Sequence, residues 1–202
     1  MDWLDAHDPA LAASDDLALA VAHLEAAELL PEVEPFRRQV LEFVGAHPDA
    51  LLRSCEEGHL TGSAVVIDPS GRRTLLMLHR KLGRWFQPGG HADGDANLAA
   101  VALREATEET GLTGLLVATP AIDLDVHAVP QPGGGTHLHL DLRFLVMAPS
   151  AVDAPGNHES LELRWVEPEG LADLGVDPGT ERLVRRGLAV IAEHPPPAPE
   201  VF

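Results

Sequence analysis

The sequence predicts an α+β fold, a mixed β-sheet with helices packed on it, preceded by a helical extension. Three observations predict it. Short runs between residues 60 and 79 and between 122 and 167 alternate apolar and polar side chains and are broken by Pro and Gly, the period of strands. Residues 96–110 and 180–194 carry the three- and four-residue apolar spacing of helices. The two kinds of element do not alternate regularly, which argues against a doubly wound parallel sheet.

Residues 1–58 read as helical. Ser14 is a candidate cap for a helix through DDLALAVAHLEAAELL, with acidic residues in its first turn. Pro31 interrupts it. PFRRQVLEFVGAH follows, with Phe36, Val40 and Val44 on one stripe. His47-Pro48-Asp49 breaks that helix and opens one more short one. This extension holds no recognisable chemistry and reads as a packing or dimerisation element.

The main domain is expected over residues 59–193. LTGSAVVID is a strand, Pro69-Ser70-Gly71 a turn and TLLMLH a second strand. The stretch RKLGRWFQPGGHADGD reads as a loop. A helix runs from Ala96 to Thr110, with Asp95 as candidate cap and Gly111 as its stop. IDLDVHAV, HLHLDLRFLVM and LELRWVE are further strands, and TERLVRRGLAVIAEH is a final amphipathic helix. The Pro-rich tail, 194–202, cannot continue it.

Composition narrows the function. With 14 Lys and Arg against 32 Asp and Glu, the formal charge is −18, which argues against a nucleic-acid polymer as partner. A small phosphorylated substrate fits such a field when a divalent cation bridges it to the protein. No apolar run is long enough to span a membrane, so no membrane partner is expected. Cys55 is the single cysteine, so no internal disulfide forms, and the first residues lack a signal-peptide pattern. Both features point to a cytoplasmic protein.

The informative segment is GGHADGDANLAAVALREATEETGL, Gly89 to Leu112. On a helix, Glu105, Glu108 and Glu109 share one face, where like charges destabilise by roughly 0.2–0.5 kcal/mol per pair. A hard divalent cation removes that penalty, and oxygen ligands suit Mg2+ or Mn2+. Spacing alone does not distinguish such a site from a solvated acidic face. The full string, however, resembles the Nudix box. Gly90 opens the pattern, and Arg104-Glu105, Glu108-Glu109, Gly111 and Leu112 fall in register, with Ala106 at the first aliphatic position. One position departs: Ala96 stands where the box has its first Glu, and Asp93 and Asp95 are nearby substitutes.

The resemblance covers about residues 59–193 and implies a Nudix α/β/α sandwich. It implies Mg2+ or Mn2+ held by Glu105, Glu109 and Glu108 and by the carbonyl near Gly90. Arg104 would orient the carboxylates. The implied reaction is hydrolysis of a diphosphate linkage in a nucleoside diphosphate derivative, by attack of metal-activated water on phosphorus. Glu108 is one candidate base. Glu159 is the downstream candidate, with Glu162 second. Family members are often dimers, so a homodimer is a further expectation.

In HLHLDLRF the polar residues His137, His139, Asp141 and Arg143 share one strand face. Similar strings occur in a subgroup of the family. His79, His91 and His127 lie at other strand ends and in the box loop. Three readings stand open: a polar wall of a substrate cleft with Arg143 on phosphate, a transition-metal site through His137 and His139, or a structural hydrogen-bond network. His91 and Trp85 join the substrate-binding candidates, although Trp85 and Phe86 can equally pack under the box loop. Two alternatives to hydrolysis remain. A catalytically weak or inactive ligand-binding module is kept open by Ala96. An isomerase would need a cysteine in the cleft, where Cys55 is misplaced.

Overall fold

In a computed structural model of the chain, residues 1–130, 134–149, 154–158 and 160–196 are described. Among the described residues, eight strands form one sheet: β1 (Asp2–Leu4), β2 (Gly58–Ile67), β3 (Thr74–His79), β4 (Arg84–Phe86), β5 (Gly89–His91), β6 (Leu116–Pro130), β7 (Thr136–Met147) and β8 (Ser160–Val166). Its main path runs β1-β6-β7-β2-β3-β4, with β5 also on β2 and β8 on β3. The sheet is mixed. β2 and β7 run parallel from Gly58↔Leu138 to Ile67↔Met147, and the other pairs are antiparallel.

The β2–β7 register assigns every side chain in the centre to one of two faces. Leu60, Gly62, Ala64 and Val66, with Leu138, Leu140, Leu142, Phe144 and Val146, face α3 (Leu98–Thr110) and the N-terminal helices α1 (Leu17–Ala26) and α2 (Glu34–Ala46). Val65 and Ile67, with Leu145 and Met147, face α4 (Leu171–Leu174) and α5 (Pro178–Glu193). Gly62 and Gly187 set how closely the helices approach. A Cβ on Gly62 would lie 2.8 Å from the Leu98 carbonyl oxygen, and one on Gly187 would lie 2.7 Å from Val65.

The N-terminal region is less purely helical than its sequence predicts. Asp2–Leu4 adds β1 to the edge of β6, pairing Trp3 with Ala118. Asp16, rather than Ser14, caps α1, and α1 stops at Ala26 instead of reaching Leu30. Glu28 then donates its N–H to the Ala121 carbonyl, a sheet contact that replaces another helical turn. The short helix expected after Pro48 is a series of hydrogen-bonded turns. The carbonyl of Ala50 accepts from Leu60 and that of Leu51 from Gly94, so neither is left for an i→i+4 ladder.

The other departures are small. β4 and β5, three residues each, lie inside the stretch read as a loop. Asn97, not Asp95, caps α3. The final helix begins at Pro178, capped by Asp177, and β6 starts six residues before Ile122. No helix among the described residues is long and apolar enough to cross a membrane.

Candidate active site

α3 is pinned at both ends. Asn97 accepts the Ala100 N–H and donates through Nδ2 to the carbonyls of Ala10 (2.9 Å) and Ala12 (3.1 Å), tying the helix start to the N-terminal segment. Gly111, at φ 70°, takes the left-handed conformation that ends the helix. Ala99, Ala102 and Ala106 are buried on the sheet side, so the helix sits low on β2.

This placement brings two of the three expected carboxylates to β5. Glu109 is buried, and its Oε2 accepts the Gly89 N–H at 2.9 Å. Glu105 folds onto Gly90, where an added Cβ would stand 2.4 Å from its carboxyl carbon. Glycine at position 90 is therefore required by close approach. Burial pushes the Glu105 carboxyl above its ordinary pKa, Arg104 pulls against that, and the charge of Glu108 adds to the push. Arg104 Nη2 donates to Glu105 Oε1 (3.2 Å) and to the His91 carbonyl (3.3 Å). It thus joins α3 to the strand carrying Gly90. Glu108 is exposed beside them.

At the loop–helix junction, Ala96 and Asp95 are both tied to the N-terminal segment. Ala96 is fully buried, and its N–H donates to the Ser14 carbonyl at 2.6 Å. Asp95 Oδ1 accepts from Ser14 N–H (3.1 Å) and Asn97 N–H (2.9 Å). Asp93 serves differently, in a two-bond pair with Arg53, both bonds 2.6 Å. A glutamate at 96 would be packed against the N-terminal segment, and Asp95 supplies the local carboxylate instead.

Of the downstream base candidates, Glu159 lies outside the described residues. Glu162 is exposed and paired with Arg164. That guanidinium sits 5.0 Å over the ring of Trp85. Trp85 itself packs into the apolar layer with Leu76 and Leu171, so the base-stacking reading of Trp85 is corrected: its ring is covered.

The reading of Arg143 as a phosphate ligand is also corrected. Arg143 is 2% exposed and meets Asp141 (2.7 Å), Asp125 (3.2 Å), Asp123 (3.4 Å) and the Gly179 carbonyl (3.1 Å). Arg182 binds Asp123 and Asp125 at 3.0 and 3.1 Å, and Thr61 and Ser63 donate to Asp141, both at 2.8 Å. Burial works against the charge of Arg143, but the three carboxylates more than offset it and its pKa rises. For Asp125, burial is likewise outweighed, by His127, Arg143 and Arg182, which hold it below the usual carboxylate range. Asp141 and Arg143 thus form a structural network under α5.

The histidines of the ladder meet others at the next row of the same face. His59 lies opposite His139 in the parallel register, and His127 lies opposite His139 on β6. Ring centroids of His59 are 4.7 Å from His137, 4.9 Å from His139 and 5.0 Å from His91, and His91 is 5.0 Å from His139. Burial, reinforced by the surrounding imidazoles, lowers His139 to about 2 and His59 to about 4. His79 stays apart, its Nδ1 accepting from the backbone of Lys81 and Leu82.

Sequence reading missed His59, Asp123, Asp125 and Arg182. The first three carried a usable signal: HLTGS and DLDVH place polar residues on alternate positions as HLHLDLR does. Arg182 had none, because its partners lie 57 or more residues away. Cys55 is buried, which pushes its thiol pKa up.

A family model, the NUDIX domain, matches residues 59–187. A "Putative 8-oxo-dGTP diphosphatase 3" of Mycobacterium tuberculosis is 34% identical over 118 residues, covering 55% of this chain and 52% of that protein. An RNA pyrophosphohydrolase of Novosphingobium aromaticivorans is 33% identical over 115 residues, 50% of this chain and 71% of that protein. The chain thus spans about half the length of the first relative. Among solved structures, a C. elegans Ap4A hydrolase binary complex superposes with a TM-score of 0.55 at 20% identity, over 66% of this chain and 98% of the other. A NUDIX-family hydrolase from Clostridium perfringens gives 0.51 at 22%, over 66% and 97%. At these identities the structural likeness is one of fold. The family match spans well over half of the chain and includes α3 with its glutamates: the chain belongs to the NUDIX family.

Proposed function

We propose that the protein is a pyrophosphohydrolase cleaving a diphosphate linkage in a nucleoside diphosphate derivative, with Mg2+ or Mn2+ as cofactor. The observation that carries this reading is the convergence of Glu105 and Glu109 on the Gly89-Gly90 backbone. The donor set fits a hard cation: carboxylate oxygens from one helical turn, a backbone strand that approaches closely because it lacks Cβ atoms, and an exposed third carboxylate. Glu105, Glu109, Glu108 and the Gly90 carbonyl would hold the ion. When bound, such an ion neutralises phosphate charge and acidifies water.

The chain's own residues divide the remaining work. Arg104 orients Glu105 through a charge-assisted hydrogen bond and anchors it to β5. Glu108, exposed on α3, is the first candidate to take a proton from attacking water, and Glu159 is the second. Ala96 keeps the ligand-binding alternative open, and the bonds from the Ser14 and Asn97 N–H groups to Asp95 support the hydrolase reading over it.

The test is hydrolysis of a panel that includes 8-oxo-dGTP, dinucleoside tetraphosphate and 5′-triphosphorylated RNA, chosen from the activities named for the relatives and fold neighbours. We expect turnover with Mg2+ or Mn2+ and a loss of at least about a hundredfold in Glu109→Gln, as expected where an ion supplying several kcal/mol to the transition state is displaced. Unchanged turnover in Glu109→Gln would overturn the reading. Thermal stabilisation by nucleotides with no turnover on any member would select the ligand-binding module.

A further inference from the structure

The polar face under α5 ends in a group that the box chemistry does not use. We propose that His59, His137 and His139 form a second metal site, selective for a borderline-soft divalent cation with Zn2+ foremost. The inference rests on these residues alone and does not depend on what the box glutamates bind.

The first argument is geometric. One ligand nitrogen from each of the three rings can be chosen so that all lie within 4.8 Å of one another. The Nε2 atoms of His137 and His139 are 3.1 Å apart. Tetrahedral Zn–N bonds of 2.0–2.1 Å separate their nitrogens by about 3.3 Å, so modest ring rotations complete the site. The backbone is already set, because His59 and His139 are directly opposed across a ten-residue parallel ladder. His91, whose ring centroid lies 5.0 Å from those of both His59 and His139, is a candidate for a fourth ligand.

The second argument is the state of the nitrogens. His59 is 3% exposed, and beyond a loose approach to the Cys55 backbone its ring nitrogens have no partner at full hydrogen-bond geometry; the buried Nδ1 of His137 has none either. Buried polar atoms are normally satisfied, and leaving them unpaired destabilises the fold. An ion among the three rings would accept one lone pair from each, and so would satisfy one of the two nitrogens of His59.

The third argument is ligand chemistry. Imidazole nitrogens favour Zn2+, Ni2+ or Cu2+, whereas the oxygens of Glu105 and Glu109 favour Mg2+ or Mn2+. The sites therefore differ in donor type. They also differ in place: the three histidines stand on the α5 side of the sheet, and Glu105 and Glu109 come from the helix on the other side. His91 immediately follows Gly90, so an ion held here would also fix the strand against which Glu105 rests. The next row carries Asp125 and Asp141, whose carboxylates favour a cation over an anion at this end.

The full chain, stripped with chelator and supplied with excess Mg2+, is titrated with Co2+ as an optical probe and with Zn2+. We expect one tight equivalent, the intense visible bands of tetrahedral Co2+, and a Tm rise of about 5–10 °C at a hundredfold excess of Zn2+ over Kd. His59→Asn and, separately, the half-buried His137→Asn should each abolish the bands, and the second variant serves if the first does not fold. Glu105→Gln/Glu109→Gln should keep them, even if the hydrolase reading fails. Absence of tetrahedral Co2+ bands in the wild type, or bands that survive both histidine variants, would overturn the proposal.

Discussion

Replacing Arg143 by methionine keeps the length of the side chain and removes its charge. Arg143 is buried among Asp141, Asp125 and Asp123. Removing one partner of a buried ionic cluster costs about 3–5 kcal/mol, because the remaining charges stay buried without compensation. Here the loss is unevenly shared. Asp123 and Asp125 keep Arg182, whereas Asp141 retains the hydroxyls of Thr61 and Ser63. For a chain of this size, 1 kcal/mol shifts Tm by about 2–4 °C, so Arg143→Met should lower Tm by about 6–20 °C. Calorimetry and urea unfolding across pH provide the assay. Arg143 also helps to hold Asp125 below the usual carboxylate range. The stability linked to Asp125 is complete above the unfolded carboxylate pKa of about 3.9 and is lost as pH falls through the folded value. In the variant the folded value lies closer to the unfolded one, so that loss should be smaller and be complete at a higher pH. A destabilisation below about 1 kcal/mol, or intact stability with lost turnover, would refute the structural assignment and return Arg143 to the substrate.

Three further outcomes follow from the geometry. Gly90→Ala inserts a Cβ 2.4 Å from the Glu105 carboxyl carbon, so it should cost about a hundredfold in turnover while Tm moves by a few degrees, measured by phosphate release and calorimetry. Asn97→Ala removes the α3 cap and two bonds to the N-terminal segment, an expected loss of about 2–3 kcal/mol in urea unfolding. Burial would raise the pKa of Asp68, but Ser70 Oγ, the N–H groups of Arg72 and Arg73 and the Arg73 guanidinium lower it. Its stabilisation is therefore full above a pH of about 3.9 and lost below it, and Asp68→Asn should flatten that acid limb of the urea midpoint.

What could be read from sequence follows the range of the interactions. The strand β3 was legible to the residue as TLLMLH, and β7 almost so, because alternation is a local property. The box glutamates were legible because the motif states their spacing. β1 escaped notice, since three residues are too few to show a period and Asp2–Leu4 is a strand only through β6. β5 contains two glycines with little strand preference and exists because Thr61, Gly62 and Ser63 pair with it. The role of Arg143 was misread for a related reason. An arginine on an alternating strand looks available to a ligand until Asp123, Asp125 and Arg182 arrive from distant segments.

The central strand explains how one sheet carries two different polar arrangements on its two faces. Every residue of β2 is buried, yet alternate residues from His59 to Ser63 are polar. Such a strand is stable only if its polar row meets other polar rows, and the parallel register with β7 and the pairing of β7 with β6 supply them. At Thr61 and Ser63 the match is complete, because Asp141 accepts from both. One row further along the match is poor, with His59 packed among other imidazoles and short of well-formed hydrogen bonds. On the opposite face, Gly62 at the same strand admits α3 and so delivers Glu105 and Glu109 to β5. A one-residue slip of β2 would press His59 and Thr61 against α3 and remove the glycine that the helix needs. The register that seats the box helix is therefore the same one that gathers the histidines, and neither arrangement can move without the other.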